Sequence, residues 1–110
     1  MNITFATKKL EKLANDLKKC QKELGKSAAE RYNLRLSDLR AADTLEDVRN
    51  LAGRYHELTG NRKGQWACDL EHPYRLIFRP HEDPIPQNAD GKYLWVEILG
   101  VEIVDITDYH

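Results

Sequence analysis

The chain has 110 residues, 41% hydrophobic and 32% charged, with a formal net charge of −1. That length makes one domain, large enough to bury a core without disulfide staples. No apolar run approaches the ~20 residues of a membrane span, and the opening MNITFATKKL has no apolar signal core, so a soluble cytoplasmic protein is expected.

The small net charge hides an asymmetry. Residues 1–63 carry 14 Lys and Arg against 9 Asp and Glu, and residues 64–110 carry 3 against 9. A basic first half can hold a polyanion, but on charge alone the pattern reads first as a charged helix pair solvated on its outer face. Cys20 and Cys68 lie far apart without metal-type spacing and read as reduced, buried thiols.

In chain order, Leu10, Leu13, Leu17, Cys20 and Leu24 recur every three or four residues and predict one amphipathic helix. Gly25 is placed to end it with a positive φ. Ser27 and Glu30 have capping-box spacing for a second helix, with Ala29, Tyr32, Leu36 and Leu39 as its apolar side. Two such helices joined by a short loop form an antiparallel hairpin. Thr44 caps a further short turn, with Leu45, Val48 and Leu51 expected inward.

The period then changes to two. Residues 55–58 suit a short strand. Trp66, Cys68 and Leu70 alternate with other residues, as do Leu76 and Phe78, with Glu71-His72-Pro73 as the turn between these strands. Residues 80–92 hold three prolines and an Asp-Gly and predict a long exposed loop. A last strand is expected over residues 93–104, with Gly100 marking a bulge. The sum is a single α+β domain over residues 1–110, with helices at about 6–50 and a small antiparallel sheet at about 54–105.

The four histidines are His56, His72, His81 and His110. None has helical metal spacing, Cys68 with His72 is a lone C-x3-H, and no metal or other cofactor is expected. No glycine-rich phosphate loop and no G-x-S-x-G occurs. His72 and His81 adjoin prolines and read as solvated loop residues. What remains is a cationic and imidazole set around the sheet: His56, the pair Arg62-Lys63, Arg75, and the terminal Asp108-Tyr109-His110. Histidine moves protons near neutral pH, arginine steadies a phosphorane, and tyrosine donates a hydrogen bond. Those are the parts for metal-free RNA cleavage by an adjacent 2′-hydroxyl. A terminal histidine can also be merely exposed, and Arg75 merely an ion-pair partner, so spacing alone leaves both readings open.

The run Gly53-Arg54-Tyr55-His56-Glu57-Leu58-Thr59-Gly60-Asn61-Arg62-Lys63-Gly64-Gln65-Trp66, then Tyr74-Arg75-Leu76-Ile77-Phe78-Arg79, Val101-Glu102-Ile103-Val104 and the final Asp108-Tyr109-His110 resemble the HigB-like killer toxins of the RelE/ParE superfamily. Thr44-Leu45-Glu46-Asp47-Val48-Arg49 is similar to that family's pre-sheet segment. The resemblance covers roughly residues 36–110, and the helical N-terminus matches mainly in architecture. It implies a RelE-like fold, in which a helical hairpin packs on a small curved antiparallel sheet.

The function it implies is that of a type II toxin–antitoxin toxin, a ribosome-dependent endoribonuclease that cuts mRNA. A cognate helix-turn-helix antitoxin would neutralise it, and the pair would reach operator DNA through the antitoxin. By resemblance His56, Arg75, Asp108, Tyr109 and His110 are the catalytic candidates. His110 or His56 would handle the proton, Arg75 would stabilise the phosphorane, and Tyr109 would orient or stack a base. Arg54, Arg62, Lys63 and Arg79 would hold the RNA backbone.

Departures from the family pattern bear on activity. Thr59 stands where many relatives have a lysine three residues after the histidine. The loop 80–92 is long and acidic, Ile106-Thr107 is expected to displace the terminal residues from the last strand, and the net charge is −1 where such toxins are usually basic. These leave two alternatives: a catalytically weak toxin-fold protein acting with its antitoxin as a DNA-bound corepressor, or a ParE-like inhibitor of gyrase. The terminal Tyr-His argues against the latter, because poisoning gyrase requires no proton-transfer set.

Overall fold

Strand β1 (Asn2–Phe5) opens the chain, and helices α1 (Lys8–Asn15), α2 (Leu17–Leu24) and α3 (Lys26–Ala41) come after it. Strands β2 (His56–Glu57), β3 (Trp66–Asp69), β4 (Tyr74–Pro80) and β5 (Gly100–Asp108) complete the computed structural model, which describes residues 1–108.

The stripe from Leu10 to Leu24 is not one helix. Asp16 leaves the helical region (φ −132°, ψ 93°) and its carboxylate accepts the Lys19 N–H at 3.1 Å, capping α2. A short acidic side chain satisfies orphan donors at such a break better than it serves a helix interior. The chain folds back there, so Lys9 of α1 and Glu23 of α2 come within 3.2 Å. Leu10, Leu13 and Cys20 still reach the core, whereas Leu17, at the new helix start, is exposed.

Gly25 has the expected positive φ (89°), and this single residue ends α2 and begins α3. The Ser27–Glu30 capping box therefore does not form, because both residues are already helical. The hairpin is present with its first arm folded in two. Tyr32 on α3 donates its hydroxyl to the Leu10 carbonyl at 3.0 Å and ties the arms together.

The sheet order is β1-β5-β4-β3-β2. The last four strands pair antiparallel, as expected. Strand β1, unanticipated from the sequence, adds parallel to β5 with Asn2 opposite Gly100 and Phe5 opposite Ile103. The helices cover one sheet face. There Tyr32, Leu36 and Leu39 of α3 share a core with Trp66, Cys68, Leu76, Phe78, Val101 and Ile103. The 3-10 turn Leu45–Asn50 adds Leu45 and Val48 to it, while Leu51 leaves the turn in an extended conformation and is exposed.

The expected last strand needs correction at both ends. Residues 93–99 are not strand. Trp95 begins a 3-10 turn and packs edge-on against Trp66, with ring centroids 5.5 Å apart. At the other end β5 runs to Asp108, with Ile106 opposite Leu76 and Thr107 opposite Arg75, so Ile106 and Thr107 extend the strand and Asp108 stays in it.

The bulge lies elsewhere than Gly100. Ile77 faces Asp105 but Phe78 faces Ile103, so Val104 is the extra residue. It resets the alternation, keeping Ile103 on the helix side and both Glu102 and Asp105 on the open side. The adjacent apolar pair Ile103-Val104 was the sequence signal. Gly100 serves another purpose: the His81 ring occupies the space a Cβ there would need.

Candidate functional site

Cross-strand register lays the nominated residues in rows on the sheet face opposite the helices. The central row is His56, Ala67, Ile77 and Asp105. On one side lie Asp69, Arg75 and Thr107. On the other, past the bulge, lie Arg79, Glu102 and Thr4. Two strand spacings and two residues separate the backbones of His56 and Arg75, about 12 Å. On β3 between them stand Ala67, which is fully buried, and Asp69, whose carboxylate pairs with Arg54.

His56 is half-buried and its Nδ1 lies 2.6 Å from the Arg54 carbonyl. A carbonyl only accepts, so Nδ1 carries the hydrogen, and when the ring is neutral Nε2 is the nitrogen that can accept a proton. That carbonyl is aimed by an unusual turn: Gly53 has φ 119° and Arg54 has φ 56°, the one positive φ outside glycine among the described residues.

Arg35 of α3 props the turn from beneath. Its side chain is 5% exposed, and its guanidinium donates to the carbonyls of Asp69 (2.9 Å) and Ala52 (3.2 Å), with Asp38 at 4.0 Å. Sequence reasoning missed Arg35. Its signal was a charge set within the apolar stripe of Tyr32, Leu36 and Leu39.

The other candidates fall into different environments. Arg75 is half-buried in the middle of the sheet. The Arg54 guanidinium is exposed and pairs with Asp69 at 3.6 Å. Arg79 is engaged by Glu102, with Nε and Nη2 at 2.8 and 2.6 Å from one carboxylate oxygen. Arg62 donates to the Gln65 side-chain carbonyl at 2.9 Å, and the Lys63 ammonium sits 5.6 Å over the Tyr93 ring. Asp108 ends β5 opposite Tyr74, which by alternation puts it on the face of Tyr74 and Leu76 rather than that of Arg75. Tyr109 and His110 lie outside the described residues.

His72 is exposed in the β3–β4 turn, as expected. His81 is exposed too, but it is not merely solvated: its Nε2 and Thr4 Oγ1 share a hydrogen bond of 2.8 Å. Among the described residues no group of three or more His, Cys, Asp or Glu side chains is arranged to hold a metal ion. No helix there is long and apolar enough to cross a membrane. Cys20 and Cys68 are free and buried, and burial pushes both thiols above their ordinary value.

Among solved structures, the fold matches a YoeB/ParE toxin from Agrobacterium tumefaciens with TM-score 0.59 at 11% identity over 100% of both chains. It matches the YoeB–YefM complex from Staphylococcus aureus with TM-score 0.59 at 18% identity. It also matches the YoeB dimer of that organism with TM-score 0.58 at 19% identity, each over 100% of this chain and 97% of the other. No family model and no curated protein matches the sequence. At these identities the likeness is one of fold: helices on a curved, largely antiparallel sheet, the architecture of RelE/ParE-type toxins.

Proposed function

We propose that this chain is a cytoplasmic HigB-like toxin of a type II toxin–antitoxin pair, an endoribonuclease that cuts mRNA on the ribosome. The observation that carries the reading is the placement of His56 and Arg75 on one sheet face, with His56 Nδ1 bonded to the Arg54 carbonyl so that Nε2 is the accepting nitrogen of the neutral ring. A scissile phosphate lying between them would have a proton acceptor on one side and a guanidinium on the other.

In the proposed step the 2′-hydroxyl gives its proton to a histidine, His56 or His110, as its oxygen bonds to the adjacent phosphorus. Arg75 balances the charge of the pentavalent phosphorane. The bond to the 5′-oxygen then breaks and that oxygen takes up a proton, leaving a 2′,3′-cyclic phosphate and a 5′-hydroxyl. Tyr109 would stack or orient a base, Asp108 would neighbour the terminal pair, and Arg54, Arg62 and Lys63 would hold backbone phosphates. The fold shared with the YoeB–YefM complex supports a cognate antitoxin as the partner, which would carry the pair to operator DNA.

A second reading, that of a weak enzyme acting mainly as corepressor, is favoured by the engagement of Arg54 by Asp69 and of Arg79 by Glu102. The deciding experiment is mRNA cleavage in a cell-free translation system, mapped by primer extension, with wild type beside His56→Ala, Arg75→Ala and His110→Ala. Removing a general acid or base should lower the rate ~10²–10⁴-fold. Ribosome-dependent cuts that vanish in the variants support the enzyme. Folded wild-type protein that makes no cuts sinks it in favour of the corepressor.

A further inference from the structure

Beside the Arg79–Glu102 row lies a cleft of about 320 Å³, walled by Lys63 and Gln65 on one side and by residues 80–85 on the other. The second wall is fastened at both ends. His81 donates its backbone N–H to the Gly100 carbonyl at 2.9 Å and bonds Thr4 through Nε2. Glu82 accepts the Leu99 N–H at 2.9 Å through Oε2. Ile85 closes the far end against Gly64, where a Cβ would come within 3.1 Å of its Cδ1. The long loop is thus a built wall, and its first turn frames a cavity continuous with the open sheet face.

The chemistry of the lining is acceptor-rich. Glu82, Asp83 and Glu102 face two cations, Lys63 and Arg79, and Arg79 is already engaged by Glu102. Glu82 is not available to a ligand, since Oε2 accepts from Leu99 and Oε1 is fully buried, which leaves Asp83 as the exposed carboxylate. With three carboxylates against two cations, the interior of such a lining favours a neutral group that donates N–H bonds over a phosphate, while Lys63 at its wall stays available to the backbone. Its position is also specific. The Arg79–Glu102 row is two residues along β4 from the Ile77 row that holds His56, about 6.6 Å, and four from Arg75, about 13 Å. A phosphate between His56 and Arg75 is thus one to two nucleotide steps from the cleft along an extended single strand.

We propose that this cleft binds an amino-bearing nucleobase (guanine, adenine or cytosine) of the RNA, one or two nucleotides from the phosphate held between His56 and Arg75. Asp83, exposed at the mouth, accepts from the exocyclic amine, and Gln65 contributes its free amide N–H. Uracil, with a carbonyl in place of cytosine's amine, is disfavoured. The inference rests on the endoribonuclease reading for its substrate, but base binding is measurable without cleavage.

The test titrates the ¹⁵N-labelled full chain with cytidine and with uridine, which differ at that group and carry no phosphate. Cytidine should shift signals of residues 63–65 and 81–85 and bind about fivefold more tightly than uridine, the worth of one hydrogen bond. Asp83→Asn should narrow the gap, and mapped cuts should avoid uracil at one neighbouring position in wild type but not in D83N. Equal binding of the two nucleosides, no shift at these residues up to millimolar nucleoside, or cuts indifferent to the neighbouring base overturns the cleft while leaving the enzyme standing. Cytidine selectivity in a folded protein that makes no cuts supports the cleft and overturns the enzyme.

Discussion

The guanidinium of Arg35 lies flat against the α-carbon of Gly53, so close that a Cβ there would come 2.6 Å from its central carbon. Gly53 also holds φ 119°, which side chains other than glycine rarely adopt. Both constraints converge on the turn that aims the Arg54 carbonyl at His56. Gly53→Ala is therefore expected to destabilise the fold by about 2–4 kcal/mol, from backbone strain and displacement of a buried arginine. Arg35→Met leaves the Asp69 and Ala52 carbonyls without donors and should cost about 3 kcal/mol. Urea denaturation of the two variants and of the pair checks this. Because both act on one contact, the double variant should lose clearly less than the sum. Additive losses would show that the two residues are independent.

The Arg79–Glu102 pair makes a second prediction. Arg79 is 55% exposed and Glu102 24%, so the pair contributes about 1 kcal/mol or less to stability. Glu102→Gln frees a cation on the open face. RNA affinity should rise about fivefold at low salt, and the slope of log affinity on log salt should steepen by about 0.7, the value for one more phosphate contact on a single strand. An unchanged slope would mean that Arg79 does not reach the backbone.

How far the sequence disclosed this arrangement depends on which interactions are local. The period-two pattern located β3, β4 and their turn, and the apolar side of α3 was legible because Ala29, Tyr32, Leu36 and Leu39 all go inward. The broken first helix was not, since the spacing of Leu10 to Leu24 survives a bend and only the capping preference of Asp16 betrays it. Strand β1 is four residues long and stabilised by pairing with β5 far along the chain, which no local pattern encodes. In the site, residue types pointed to His56 and Arg75. What holds His56 in place, namely Arg35, Gly53 and the positive φ of Arg54, depends on contacts between α3 and a loop far along the chain.

Stability should depend on alkaline pH. Burial raises the Cys68 thiol, with Asp69 adding to it and Arg35 opposing, and burial raises the Tyr32 and Tyr55 hydroxyls. In the folded state these groups keep their protons at a pH where the unfolded chain loses them, near 9.0 for cysteine and 10.0 for tyrosine. The folded state then binds more protons, so stability is full below about pH 8.5 and falls as pH rises beyond it. Urea midpoints measured from pH 7 to 11 should show a plateau and then a decline. Tyr55→Phe, which removes one such group, should make the decline shallower. A midpoint that holds through pH 11 would contradict the burial of these groups.

Thr59 is the departure most open to direct repair. It is exposed, precedes the 3-10 turn Gly60–Arg62, and its side chain makes no capping bond there. Thr59→Lys should therefore change stability by no more than about 0.5 kcal/mol, as substitutions away from buried features do. It adds a cation three residues after His56, two residues beyond the strand that carries the proposed base. If phosphate charge limits the reaction, cleavage by Thr59→Lys should rise about tenfold at low salt, and the gain should shrink as salt screens the new charge. A gain that persists at high salt would point to repositioning of the loop rather than charge. An unchanged or lower rate would show that the threonine is not what separates this chain from a stronger nuclease.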